Sequence, residues 1–226
     1  MKIIGIINAG DSELAPFLKT LEPAHTVKKA MLTFYKCEYK GKKIITLYSG
    51  VCKVNAAIAA QILIDTFHAD AIISAGTCGG LHEKIGIFDT IAATACTYHD
   101  VEETILTEFH PWFETPCFPS SPYLLERLQS LDYRHPIHCG VLATGEYFLE
   151  SAKQRESLLA RYPDVLGIDM ESCSIAHVCY VNQVPFLSIR TVTDNGTLSG
   201  EAAFEENVDR ASEISKEICL DLVAAL

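Results

Sequence analysis

A chain of 226 residues, 49 % hydrophobic and 21 % charged, can bury about 70 % of the surface its unfolded form exposes, so it needs neither disulfides nor a metal for stability. Its formal charge of −11, from 29 acids against 18 bases, opposes binding to nucleic-acid phosphates and to anionic membranes. The nine cysteines form no C-x-x-C pair and sit mostly in apolar runs, where a thiol behaves as a small hydrophobe, which implies a reducing compartment.

The start, MKIIGIINAGD, has too short an apolar run for a signal peptide, and no 18-residue apolar segment follows, so a cytoplasmic protein with no membrane partner is expected. Lys2 to Ile7 reads as a buried strand entering a turn at Asn-Ala-Gly-Asp. Asp11 or Ser12 caps the next helix, whose first turn holds Glu13; on local pattern alone, Glu13 complements the helix dipole. Met31 to Tyr39 and Ile44 to Tyr48 flank the polar turn Lys40-Gly41-Lys42-Lys43 as a hairpin. Ser49-Gly50-Val51 breaks the second strand, and Val54 to Phe67 has the all-round apolar character of a buried helix.

Asp70 to Ala75 predicts an apolar strand ending in Gly76-Thr77-Cys78-Gly79-Gly80-Leu81. This is neither a dinucleotide fingerprint nor a P-loop. A tight turn is the local reading, although glycines here also permit close approach of backbone N–H groups to a ligand. Thr90 to Tyr98 is a strand closing on His99-Asp100. Val101 to Pro122 is a long connection holding Phe109, Trp112, Phe113 and Phe118, which reads as a lid or a subunit contact.

Pro122 to Leu131 predicts a helix, His138 to Thr144 a strand, and Ser151 to Arg161 an exposed helix. His135, His138 and Cys139 have a zinc-like spacing but no second cluster to complete four ligands; no metal and no other cofactor is expected. Val165 to Thr197 predicts strand, helix, strand, with Asp169 and Glu171 at one corner and Asp194 at the other. In open α/β sheets, ligands sit outside the carboxyl ends of strands. From Ala202 onward an amphipathic helix closes the chain. Together these elements predict an α/β fold in a single domain over 1–226, a central mixed β-sheet flanked by helices.

Seven segments fall in a telling order: GIINAGDSEL near the start, SGVCKVNAA at Ser49 to Ala57, SAGTCGGL at Ser74 to Leu81, YHDV at Tyr98 to Val101, ATGEYFL at Ala143 to Leu149, GIDMES at Gly167 to Ser172 and IRTVTD at Ile189 to Asp194. In order and spacing the chain resembles the 5′-methylthioadenosine/S-adenosylhomocysteine nucleosidases and their futalosine hydrolase relatives, within the nucleoside phosphorylase superfamily. The resemblance implies an N-glycosyl hydrolase acting on 5′-modified adenosines. Cleaving a ribose–purine bond builds positive charge on the sugar and negative charge on the base, so an acid must protonate the base while a base activates water.

The resemblance assigns the acid to Asp194, acting on purine N7, and the base to Glu13, acting through water with room between the two carboxyls. Asp194 must then hold a proton near neutral pH, which requires burial or a nearby negative charge; its local alternative is an Asp-Asn-Gly turn. Glu171 is expected to accept from both ribose hydroxyls with Met170 packed on the sugar, Phe148 to stack on the purine, and Leu149 to meet the base edge through its backbone. Thr77, Thr193 and Phe204 complete the wall. A carboxylate at 194 favours a 6-amino over a 6-oxo purine.

Phosphorylases of this superfamily hold phosphate with arginines from the N-terminal half, whereas the first arginine here is Arg127. Water is therefore the expected nucleophile, with Arg190 structural. The chain departs from the nucleosidase pattern at Gly10-Asp11-Ser12, at SGVCK in place of SGIGK, at Phe88-Asp89, and at Glu103 and Leu106 in the segment that lines the 5′ pocket. Methylthioadenosine, S-adenosylhomocysteine and aminodeoxyfutalosine, the last on a route to menaquinone, all stay open as substrates. The family pattern also implies a homodimer, with the loop from Phe109 to Phe118 as contact. The rival readings are a purine nucleoside phosphorylase and an inactive nucleoside-binding protein.

Overall fold

The fully buried strands Val165–Asp169 and Phe186–Asp194 lead into the GIDMES motif and end in IRTVTD, respectively. The computed structural model describes residues 1–109, 113–149, 151–195 and 200–226, the Glu103 side chain excepted. In chain order its elements are β1 (Ile3–Asn8), α1 (Asp11–Leu21), β2 (His25–Lys29), β3 (Leu32–Tyr39), β4 (Lys42–Tyr48), α2 (Lys53–Asp65), β5 (Ala71–Gly80), β6 (Thr90–Tyr98) and α3 (Glu103–Glu108). There follow β7 (Cys117–Pro119), α4 (Pro122–Gln129), β8 (Ile137–Thr144), α5 (Ala152–Arg161), β9 (Val165–Asp169), α6 (Ser172–Asn182), β10 (Phe186–Asp194) and α7 (Gly200–Ala225).

The mixed sheet is central and helices cover both faces, α2 and α6 packing together on one side and α1 and α7 on the other. One end is a flange in the order β1-β4-β3-β2. Its β3–β4 hairpin turns on Lys40 and Gly41, both with left-handed φ of 48° and 78°, as a two-residue loop matching strand twist requires. Strand β2 escapes prediction because HTVKK has no apolar alternation; it is an exposed edge strand, and its lysines discourage further pairing.

The other end of the sheet closes on itself. β5 pairs with both β10 and β9, β9 with β8, β8 with β6, and β6 with β10, so five strands form a ring rather than the open sheet the chain order suggests. Register shifts at Val192/Asp194, Ala93/Ala95 and Val141/Leu142 supply the bends, since a bulge kinks its strand and sharpens the twist. Glycine makes the closure sterically feasible: a Cβ at Gly167 would lie 2.6 Å from Ile91 Cδ1 and 2.9 Å from the Gly79 carbonyl oxygen.

The tight turn expected at Gly76–Leu81 is not there. Residues 76–80 stay in β5, with Gly79 paired to Ile168 on one side and Asp194 on the other. The long 101–122 connection contains α3 and β7. Phe113 and Phe118 are buried, and Phe118 stacks on His177 at 4.4 Å between ring centroids, which anchors the segment to α6. Phe109 points outward, 74 % exposed, and Trp112 lies outside the described residues.

His138 is paired with Asp89 at 3.1 Å and Cys139 accepts from Gln129. Among the described residues no group of three or more His, Cys, Asp or Glu could hold a metal ion, and no helix is long and apolar enough to cross a membrane. All nine cysteines are free thiols.

Candidate active site

At the carboxyl ends of β1, β5, β9 and β10 one cavity opens, and all nine residues singled out from the sequence line it. Glu13 is reached by α1, which starts directly after β1. Its Oε2 accepts from the N–H groups of Ala9 (2.7 Å) and Gly10 (3.2 Å), and its Oε1 from the N–H (2.7 Å) and hydroxyl (2.8 Å) of Thr77. The local dipole reading thus holds as far as it goes, since the side chain reaches back to its own helix N-terminus. Its other oxygen belongs to β5. Three backbone N–H groups and one hydroxyl thus fix the orientation of this carboxyl group.

The glycines explain how a buried carboxylate fits here. A Cβ at Gly76 would lie 2.5 to 2.8 Å from the Glu13 carboxylate atoms, and one at Gly79 would lie 3.2 Å from Asp194 Oδ1. Both acids therefore rest against bare backbone of the same strand. Asp194 ends β10 and is buried, 8 % exposed, the condition its expected role demands. Thr193 lies within hydrogen-bond reach of both Asp194 Oδ2 (3.1 Å) and the Cys78 carbonyl (3.2 Å).

The β9–α6 corner separates two acids that the sequence left together. Asp169 Oδ1 accepts from the Thr144 hydroxyl (2.6 Å) and from the N–H groups of Glu171 and Ser172, so it caps α6, and its Oδ2 meets Arg190 Nε at 3.1 Å. Glu171 instead faces the cavity, held through Oε1 by the Cys52 N–H at 3.0 Å. Burial pushes the Glu171 carboxyl up to about 7, against the opposing pull of Arg190.

Arg190 was expected to be structural, and it is also a neighbour of the site. It is 1 % exposed and meets Asp169, Glu171 at 3.5 Å and Glu13 at 3.9 Å, with further hydrogen bonds to Ser74, Ser172 and the Thr77 carbonyl. Burial opposes its charge, but the three carboxylates outweigh burial and keep it protonated. Removing one member of such a buried cluster typically costs about 3–5 kcal/mol, because a charge is left without its partner.

The apolar walls are complementary. Phe148 and Phe204 meet edge to face, with ring centroids 6.1 Å apart at 63°. Leu149 packs its side chain with Leu81, Ala143, Leu158, Val165 and Ile168, consistent with a contact to ligand made through backbone. Met170 borders the cavity beside Glu171. Leu106, expected near the 5′ pocket, is instead buried in the main core and is not among the lining residues; the Glu103 side chain lies outside the described residues. Cys78 lines the cavity, but burial pushes its thiol well up, so a thiolate nucleophile is not on offer.

Sequence reasoning did not single out Ser12, Val51 or Tyr147 as lining residues, nor Cys52 as the donor to Glu171. The one signal for Cys52 is the Ser-Gly-Val-Cys break between β4 and α2, where it adopts φ 82° and ψ 162°, a region that side chains rarely occupy.

The chemistry available is that of two buried carboxyl groups, Glu13 and Asp194, seated against one strand and lining one cavity with an aromatic pair. A family model described as the phosphorylase superfamily matches residues 3–224. The chain is 30 % identical to the 5′-methylthioadenosine/S-adenosylhomocysteine nucleosidase of Staphylococcus carnosus, over 99 % of this chain and 100 % of that one. It superposes with a TM-score of 0.93 on the nucleosidase of the same name from Neisseria meningitidis in complex with methylthio-immucillin-A, at 26 % identity and complete coverage of both chains. A futalosine hydrolase of Helicobacter pylori gives a TM-score of 0.92 with 100 % of this chain and 98 % of that one covered; at 24 % identity it speaks for the fold alone. Model, full-length relative and fold agree: the chain belongs to the phosphorylase superfamily, within its 5′-methylthioadenosine/S-adenosylhomocysteine nucleosidase family.

Proposed function

We propose that the protein hydrolyses the N-glycosidic bond of 5′-modified adenosines and releases adenine, with Asp194 protonating N7 of the leaving base and Glu13 activating the attacking water. The observation that carries this reading is the convergence of Glu13, Glu171 and Asp194 on one cavity, two of them seated against Gly76 and Gly79 of a single strand. Glu171, an acceptor beside Met170, suits the two ribose hydroxyls. The edge-to-face pair of Phe148 and Phe204 suits a purine, whose stacking and burial each favour an aromatic wall.

Water is favoured over phosphate as nucleophile. Among the described residues lining the cavity none is Lys or Arg, and Arg190, just behind them, already serves three carboxylates. A phosphate dianion would need a cationic partner there.

The finer parts of the reading concern the 5′ group, assembly and location. Val51 borders the cavity and is 46 % exposed, and Val54 and Ile58 continue an exposed apolar stripe along α2. A second copy covering that stripe would meet the cavity mouth, so the homodimer is kept, with exposed Phe109 as a further contact. The free cysteines suit a reducing cytoplasm.

The test is release of adenine from methylthioadenosine, S-adenosylhomocysteine and aminodeoxyfutalosine, in competition and with futalosine alongside, with and without phosphate. Release without phosphate from at least one of the three, and little reaction with the 6-oxo base of futalosine, is expected. Formation of ribose 1-phosphate products only when phosphate is added would mean a phosphorylase. No release from any of them would mean a nucleoside-binding protein without catalysis.

A further inference from the structure

Three chain segments that supply no catalytic group meet beside the cavity. Lys53 opens α2, Asp100 follows β6, and Glu146 sits in the loop between β8 and Phe148. Lys53 Nζ lies 2.9 Å from each carboxylate oxygen of Asp100. Asp100 Oδ2 also accepts from the Glu146 N–H at 3.0 Å, and Glu146 Oε1 accepts from the Lys53 N–H at 3.0 Å. The hydrogen bonds thus run in a closed circuit through the three residues. The Lys53 ammonium also lies 5.4 Å from the centroid of the Tyr98 ring.

The same loop is fixed from below. The His99 ring occupies the space where a Cβ on Gly145 would be, the Gly145 N–H donates to the Asp169 carbonyl at 3.0 Å, and the Tyr147 hydroxyl lies 3.4 Å from His99 Nδ1. An isolated surface ion pair contributes little. This pair is only 21 % and 19 % exposed; its Asp100 end accepts from the Glu146 N–H, and the N–H of Lys53 itself donates to the Glu146 carboxylate.

What gives the circuit a consequence for function is the residue before Lys53. The Cys52 N–H holds Glu171, the proposed ribose acceptor, at 3.0 Å, and the next N–H along the chain holds Glu146, two residues before the proposed purine-stacking Phe148. Sugar site and base site are therefore both referenced to one dipeptide step. We propose that Lys53, Asp100 and Glu146 form a latch that sets Phe148 and the Leu149 backbone at the correct height over Glu171. They are positioning residues for nucleoside binding. The latch rests on the reading of the cavity as a nucleoside site.

Lys53→Met, Asp100→Asn and Lys53→Arg separate this from a merely stabilising ion pair. The latch predicts a KM for 5′-substituted adenosine raised about tenfold in the first two, with kcat within a few-fold of wild type, the pattern of lost uniform binding. Amide hydrogen exchange over residues 146–149 of the ligand-free protein quickens by about tenfold, as local opening becomes easier. Lys53→Arg, which keeps a cation in reach of Asp100, recovers most of both effects. A lowered melting temperature with unchanged KM and unchanged exchange at 146–149 would overturn the latch. A wild-type protein that releases no adenine would overturn the proposed function, and the exchange measurement would still decide the latch.

Discussion

The flange and the ring of this sheet use the same residue for opposite purposes. In the flange, Gly41 provides a left-handed φ of 78° with nothing within 4 Å of its missing Cβ; glycine there serves the backbone. In the ring, Gly76, Gly79 and Gly167 have no left-handed φ, and each leaves room for a neighbour, two of them for carboxylates. Glycine in a strand interior weakens the strand unless something approaches closely. The ring tolerates several because its active groups take their place.

This contrast can be tested from its strongest consequence downward. Asp194→Asn and Glu13→Gln are each expected to lower turnover by at least about a hundredfold, the usual contribution of general acid–base groups, with the fold retained by circular dichroism. Near-normal turnover in either would remove that residue from the proposed mechanism. Gly76→Ala brings a methyl group into the Glu13 carboxylate and should lower kcat by about ten- to a hundredfold through misplacement alone. If the alanine variant keeps full kcat, the bare strand is not what seats the base.

Glu171 links the ring to pH. Its folded-state carboxyl titrates at about 7 against an ordinary value of 4.5, so between those values the folded protein binds a proton that the unfolded chain does not. Stability from this group is fully present below about pH 4.5 and is lost as pH rises through 7. Ribose binding has the opposite sign, because a protonated Glu171 loses an acceptor. KM should rise several-fold from pH 8 to pH 6, and Glu171→Gln should flatten that dependence; a KM that does not respond to pH would separate Glu171 from the sugar. The smallest effect belongs to the flange. Gly41→Ala should cost about 1 kcal/mol of stability, the penalty for a side chain at left-handed φ, with kcat and KM unchanged; a change in either would show that the two regions are coupled.

Legibility follows the same division. The β3–β4 hairpin can be read locally from two apolar runs about a Lys-Gly turn, α2 from its all-round apolar character, and β9–α6–β10 from alternating elements with acids at the corners. The ring cannot be read this way. Its closure depends on bulges near Ala93, Val141 and Val192 and on glycines that look like a turn, and long-range pairing leaves no local period. The nine site residues were found through the resemblance of ordered motifs; periodicity alone assigned Glu13 to its helix dipole and Asp194 to a turn. Arg190 is expected to be structural, but its three carboxylate partners are not legible, because Glu13, Asp169 and Glu171 lie 177, 21 and 19 positions away in the chain and become neighbours only once β1, β9 and β10 are each paired with β5. Cys52 escaped because its contribution is a backbone N–H, which no side-chain pattern reveals.

The most direct measurement of hydrolysis by an acid–base pair in the ring is a reaction in ¹⁸O-labelled water containing phosphate, with the sugar product read by mass spectrometry. Wild-type protein should release adenine and a free sugar carrying one ¹⁸O atom at its anomeric carbon, while Glu13→Gln and Asp194→Asn give little of either product. A sugar phosphate without the label, or labelled sugar formed at the wild-type rate by both variants, would contradict it.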